Sequence, residues 1–327
     1  MVLNLEQLRA ITRGATRVEE QNGEFRFYRF TEEQVEAYRQ TGNTDFYNKT
    51  FATSGVRLAF RTDAKTLAFT YRLEVGSGRT FGWFDVYLNG NLARHFGSDG
   101  REFTGGSVCV ELGEGEVDVE LYLPWSRAAI LSKITLEGGE MLEPIFRTHK
   151  MISFGDSITQ GYDALYPSQS YVSTLARMLD AELFNKGIGG EVFFPALLNT
   201  PDAFDPDYIT VAYGTNDWSG RTREYFVENC AAFYRKLSAL YPRAKIFAIT
   251  PICRLDANRK TKFEAPISEV GDLIRSFCAD LPNVTVINGW CFTPALKEFY
   301  SDAYLHPNDL GFGLYAQNLY RAIKQYI

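Results

Sequence analysis

The sequence predicts two domains of different class, an all-β sandwich or jelly roll over about residues 1–140 and a parallel-sheet α/β domain over residues 145–327. Three observations predict it. At 327 residues the chain is long for a single hydrophobic core and comfortable for two. From Phe51 to Gly139 short alternating segments recur between turn residues. After Met141 the period changes to apolar, β-rich runs separated by amphipathic helical stretches.

Taken in order, Asn4 suits the start of a short helix. The segment TEEQVEAYRQTG (Thr31 to Gly42) has a Thr N-cap, Glu and Gln just inside and Gly at its end, as a capped helix requires. The β part reads VRLAFRT, TLAFTYRLEV, WFDVYLNG, SVCVEL, EVDVELYL and ILSKITLEG. Turns such as Leu88-Asn89-Gly90-Asn91 and Gly113-Glu114-Gly115 recur, and no long helical pattern intervenes.

The second part opens with HKMISFGDS as a buried strand. It continues with YVSTLARMLDA as a helix, ELFNKG and DYITVAYG as strands, TREYFVENCAAFYRKLSALYP as a long helix and AKIFAITP as a strand. SEVGDLIRSFCADLP, VTVING and a terminal helix from about Asn308 carry the alternation to the end. This is the signature of a parallel sheet covered on both faces, which binds ligands at the carboxyl ends of its strands. The linker EGGEMLEPIFRTH is short and contains Pro144, so the domains are expected to pack together.

A net charge of −6, with no basic run, excludes the clustered Lys and Arg on which nucleic-acid binders depend. The start MVLNLEQLRAITRG lacks the pattern of a signal peptide, and no stretch has the length of a membrane helix. Five cysteines, Cys109, Cys230, Cys253, Cys278 and Cys291, show no CxxC spacing. They read as reduced thiols, three of them buried, in a cytoplasmic protein.

Gly155-Asp156-Ser157-Ile158-Thr159 directly follows the first strand of the second domain, which puts a serine at the functional end of the sheet. The same five residues also make a good strand-to-helix turn. A serine nucleophile needs a base, and the chain has three histidines. His95 lies in the sandwich. His149 begins the strand that leads to Ser157, so at ~3.3 Å per residue it sits at the opposite end of the sheet. His306, in Leu305-His306-Pro307-Asn308-Asp309, is the candidate that remains. Oxyanion donors are expected from the turns Asn185-Lys186-Gly187-Ile188-Gly189-Gly190 and Gly214-Thr215-Asn216-Asp217. Neither turn fits a dinucleotide or phosphate loop, since Val192 stands where GxGxxG needs its last glycine.

GDSIT, NKGIGG, GTND and LHPND, in this order and at these element ends, resemble the four signature blocks of the SGNH (GDSL-type) hydrolases over about Met151 to Ile327. The resemblance implies a flavodoxin-like α/β domain with Ser157 as nucleophile and His306 as base. It implies an oxyanion hole made by the Ser157 and Gly190 amides and the Asn216 side chain, with Asp156 as an anchor of its loop. The family's last block has its acid three residues before the histidine, where this chain has Ala303. Asp302 is therefore the expected acid, reached through a bulge, and the alternative is a Ser-His dyad oriented by a backbone carbonyl.

A jelly roll ahead of such a domain is similar to the layout of carbohydrate esterases, among them acetyl xylan esterases. Trp218, Tyr162 and Tyr304, near the signature blocks, are candidates to stack on a sugar ring or to fill the domain interface. The expectation is a deacetylase of O-acetylated oligosaccharides, needing neither metal nor cofactor and no nucleic-acid or membrane partner. A general short-chain esterase or lysophospholipase is the alternative. A carbohydrate-binding protein with a dead hydrolase half is disfavoured by the intact Ser157, Asn216 and His306.

Overall fold

The computed structural model describes residues 1–327. Alternation builds the N-terminal half: in the strand Thr66–Val75, Leu67, Phe69, Tyr71 and Leu73 are buried while their neighbours face outward. One antiparallel sheet has the spatial order Thr12–Arg13, Arg57–Thr62, Val117–Tyr122, Phe84–Leu88, Asn91–Phe96, and Glu143–Pro144 adds to Arg57–Thr62. The other has the order Arg17–Gln21, Glu24–Tyr28, Arg127–Glu137, Thr66–Val75, Gly105–Glu111. Phe60, Phe84 and Val119 from the first sheet and Phe69 and Leu131 from the second belong to one core, so the sheets form a sandwich.

The C-terminal half is a five-stranded parallel sheet in the order Ala181–Gly187, His149–Gly155, Tyr208–Ala212, Lys245–Ile249, Val284–Ile287. In chain order this is 2-1-3-4-5, the flavodoxin-like winding, whose switch point lies beside the first strand. Helices Tyr171–Met178 and Asp309–Ile323 bury Leu175, Phe312 and Leu319 in the core on one face. Helices Arg223–Leu240 and Ile267–Cys278 bury Phe226, Phe233 and Ile274 on the other. The register pairs Gly155 with Gly187 on one side and Ala212 on the other, so three loops leave the sheet at one level.

Buried charges join the halves. The Arg29 guanidinium, fully buried, donates to the carbonyls of Asn185 (2.7 Å) and Gly187 (3.1 Å) as well as to Ala52 and Lys49 in its own half. Burial pushes Arg29 down to about 9. Lys186 Nζ, equally buried, meets Asp202 at 2.7 Å, Gln34 Oε1 at 2.9 Å and the Arg29 carbonyl at 2.7 Å. Removing one member of such a network leaves an unpaired buried charge, which is strongly destabilising. The Ala181–Gly187 strand is thereby tied to the N-terminal half.

Four elements go beyond the sequence reading. Arg17–Gln21 and Glu24–Tyr28 form a hairpin around Asn22 (φ 55°) and Gly23 (φ 78°), an Asn-Gly turn signal that flanks a short and charged strand. Asn91–Phe96 pairs with Phe84–Leu88 across the turn at Asn89 and Gly90. A short helix, Thr44–Lys49, precedes the first long strand. Cys230, Cys253 and Cys278 are buried, and Cys109 and Cys291 are exposed.

Candidate active site

The first strand ends at Gly155, where a side chain would collide with Thr159 Oγ1 at 2.0 Å, so the chain can turn tightly into the helix Ser157–Gln160. Asp156 caps that helix by accepting from the Ile158 N–H at 2.9 Å. Burial pushes the Asp156 carboxyl up to about 6, against that hydrogen bond. Ser157 is the first helical residue and its side chain lies at the carboxyl edge of the sheet.

His306 sits in a closed loop: Tyr300 bridges Pro307, and the Ser301 N–H donates to the His306 carbonyl at 2.8 Å. Asn308 then caps the terminal helix through the Gly311 N–H. Within the loop, Asp302 Oδ1 accepts the N–H groups of Tyr304 (3.1 Å), Leu305 (2.8 Å) and His306 (3.0 Å). Ala303 adopts the left-handed conformation (φ 65°), which takes up the extra residue between acid and histidine. Asp302 Oδ2 reaches His306 Nδ1 at 2.8 Å.

His306 Nε2 lies 2.8 Å from Ser157 Oγ. A carboxylate can only accept, so Nδ1 carries the ring proton and Nε2 is left to accept from the serine hydroxyl. Burial alone would raise Asp302, but the His306 bond and the Leu305 and Tyr304 N–H groups outweigh it and hold the carboxyl well below the usual range. The acid is therefore ionised beside the ring it orients.

The other two turns meet alongside. Gly190 has φ 87°, a conformation that favours glycine. The following Glu191 carbonyl accepts from Asn216 Nδ2 at 3.0 Å, which ties the second turn to the third. Glu191 is buried, with the Tyr38 and Tyr213 hydroxyls donating to its carboxyl group, and burial pushes that group well above its usual range. Asp217 accepts from the Phe193 N–H, and burial pushes it up to about 7.

Of the three aromatic candidates, Trp218 is corrected. Its ring is 1% exposed, its Nε1 donates to the Ala265 carbonyl at 2.8 Å, and the Arg254 and Arg259 guanidinium groups lie over it. It has no free face for a sugar. Tyr162 is also buried, stacked on His306 with centroids 5.7 Å apart, and its hydroxyl accepts from the Gly78 N–H. Tyr304 is exposed. Sequence reasoning missed Glu191 and the side chain of Gln160, which accepts from the Gly189 N–H at 2.7 Å. A large polar residue directly after each block was the available signal.

Residues 153–314 match the model of the GDSL-like lipase/acylhydrolase family. No curated protein matches the chain in sequence. Among solved structures, the salicylyl-acyltransferase SsfX3 from a tetracycline biosynthetic pathway aligns at TM-score 0.82 and 22% identity, over 96% of this chain and 94% of its own. A family two carbohydrate esterase from Clostridium thermocellum in complex with cellohexaose aligns at 0.65 and 18%, over 84% and 93%. Another from Cellvibrio japonicus aligns at 0.67 and 16%, over 99% and 96%.

Proposed function

We propose that this chain, whose residues 153–314 match the GDSL-like lipase/acylhydrolase family model, is a serine esterase that removes acetyl groups from O-acetylated carbohydrates through an acyl-enzyme. The observation that carries this reading is the continuous chain from Ser157 Oγ to His306 Nε2 and from Nδ1 to Asp302, 2.8 Å at each link. His306 takes the Ser157 proton as Oγ attacks the ester carbonyl, and the forming imidazolium faces the ionised Asp302. The Ser157 and Gly190 amides and the Asn216 carboxamide donate to the oxyanion. Collapse expels the sugar alkoxide, which takes the proton from His306. Water, activated by the same histidine, then releases acetate and restores Ser157.

The choice of a carbohydrate ester rests on the surroundings. A cleft of about 570 Å³ lies beside Trp218, two residues along the chain from Asn216, with Asn258, Arg259, Lys260, Thr261 and Glu264 among its lining and none of the reacting residues in it. Such a wall offers hydrogen bonds to hydroxyl groups. The shared two-domain architecture of the cellohexaose-bound esterase points the same way. Acetate release from acetylated oligosaccharides, compared with turnover of acyl esters of rising length, tests the reading. Activity should fall steeply by about eight carbons, each unburied methylene forfeiting ~0.8 kcal/mol. Equal or better turnover of long chains favours a lysophospholipase.

A second reading, acyl transfer to an alcohol instead of water, follows from the full-length likeness to the acyltransferase. Product analysis in the presence of added alcohols separates the two: a new ester in place of free acid identifies transfer.

A further inference from the structure

The β-sandwich reaches the base directly. Arg79 lies in the loop between strands Thr66–Val75 and Phe84–Leu88, and its Nε and Nη2 donate to Asp163 Oδ1 and Oδ2 at 2.7 and 3.2 Å. Asp163 Oδ2 in turn lies 3.9 Å from His306 Nδ1. The ring nitrogen therefore faces two carboxylates, Asp302 on its own loop and Asp163 on the turn that follows the Ser157 helix. The Asp163 side chain is 7% exposed, and the backbone is held at φ 70°.

The same sandwich loop grips this turn at two more points. The Gly78 N–H donates to Tyr162 Oη at 3.0 Å, and Gln160 Nε2 donates to the Gly76 carbonyl at 3.4 Å. The Arg79 guanidinium also stands 5.3 Å from the centroid of the Tyr162 ring, which stacks on His306. The remaining charged group that acts on His306 is Asp156, at the cap of the Ser157 helix.

We propose that Arg79 and Asp163 are a positioning pair, supplied in part by the β-sandwich, that tunes His306 as the base. The proposal rests on the serine esterase reading above. Asp163 adds negative charge beside the imidazolium that forms when Ser157 attacks. Arg79 cancels part of that charge and so leaves Asp302 as the Nδ1 partner. A carboxylate within ~4–6 Å of an ionisable group favours its charged form by about one to three pH units, and a bidentate guanidinium removes part of that effect. Without Arg79, Asp163 would hold His306 protonated to higher pH, when it cannot take the Ser157 proton, and would compete for the Nδ1 hydrogen.

The two partners therefore have effects of opposite sign, which a merely structural ion pair does not. The acidic limb of the kcat/KM profile on an acetyl ester reads this out. Arg79→Gln should move the limb to higher pH by roughly half a unit or more, and Asp163→Asn should move it to lower pH by a similar amount. The double variant, in which the pair is again neutral, should return toward wild type, and Arg79→Lys should stay near it. Limbs that coincide in all variants, or that move in one direction for both single variants, overturn the proposal. Should Arg79→Gln fail to fold, the downward shift of Asp163→Asn is still required. Ser157→Ala run alongside separates the two layers. A dead Ser157→Ala enzyme with unmoved limbs defeats this inference alone, whereas an active one defeats the esterase reading beneath it.

Discussion

Around Gly190 and Asn216 the supporting carboxyl groups are buried and pushed toward neutrality, whereas at His306 Nδ1 Asp302 is held well below the usual range and Asp163 is paired with Arg79. Glu191 and Asp217 belong to the first region, Glu191 between two tyrosine hydroxyls and Asp217 on the Phe193 N–H. Asp302, held by three backbone N–H groups and the imidazole, and Asp163, held by Arg79, belong to the second. Under the proposed esterase mechanism, charge of opposite sign develops in the two regions during ester attack: an oxyanion beside Asn216 and an imidazolium at His306. A fixed negative charge would repel the first and stabilise the second, which fits raised carboxyls at Glu191 and Asp217 and a depressed one at Asp302.

The largest effect expected from breaking this contrast is at Asp302. Asp302→Asn should lower kcat by ~10² to 10⁴, because the amide favours the wrong ring tautomer, with the fold retained. A loss below about tenfold would leave a Ser-His dyad as the working machinery. The substitution also has a sign at low pH. Asp302 is depressed in the folded chain, so its stabilisation is complete above the ordinary carboxylate range near pH ~4 and is lost as pH falls toward the folded value. The variant should therefore lose less stability than wild type between about pH 4 and pH 2 in acid-unfolding curves.

On the oxyanion side Asn216→Ala should reduce kcat by about 10² to 10³ and change KM less. An effect confined to KM would make Asn216 a substrate contact and dissolve its half of the comparison. Asp217 sharpens the contrast with a smaller effect. Its carboxyl is raised to about 7 when folded and is near ~4 when unfolded, so stability is lost as pH rises between those values. Asp217→Asn should flatten the fall of Tm across that window. Parallel Tm curves for wild type and variant would show that Asp217 is not held neutral.

The candidate reacting residues were legible in the sequence, the carboxyl contrast around them apart from Asp302 was not, and the reasons are physical. Ser157, Gly190 and Asn216 each lie within four residues of a strand's carboxyl end, where chain order fixes their level on the sheet, and His306 is the histidine left once His95 and His149 are placed elsewhere. Asp302 was harder, since its reach depends on Ala303 adopting a left-handed backbone that no residue type there requires. Trp218 was misplaced because the groups that cover it, Arg254, Arg259 and Ala265, come from a loop about forty residues away. Arg79 carries no local signal: its partner lies eighty-four residues along the chain. In the sandwich, long strands such as Thr66–Val75 were evident from alternation, while Arg17–Gln21 is short and largely charged, so its pairing is decided by neighbours and by the Asn22-Gly23 turn.

The central claim, that Ser157 is the nucleophile of an acyl-enzyme, is tested most directly by covalent capture. The protein is incubated with an organophosphonate ester, and digestion and mass spectrometry locate the adduct. The account predicts one adduct, on the peptide that contains Ser157, formed in step with the loss of esterase activity and absent from Ser157→Ala, which should itself lose at least about 10⁴-fold in rate. An adduct on another residue, or a Ser157→Ala enzyme that still hydrolyses acetyl esters at more than about a hundredth of the wild-type rate, would contradict it.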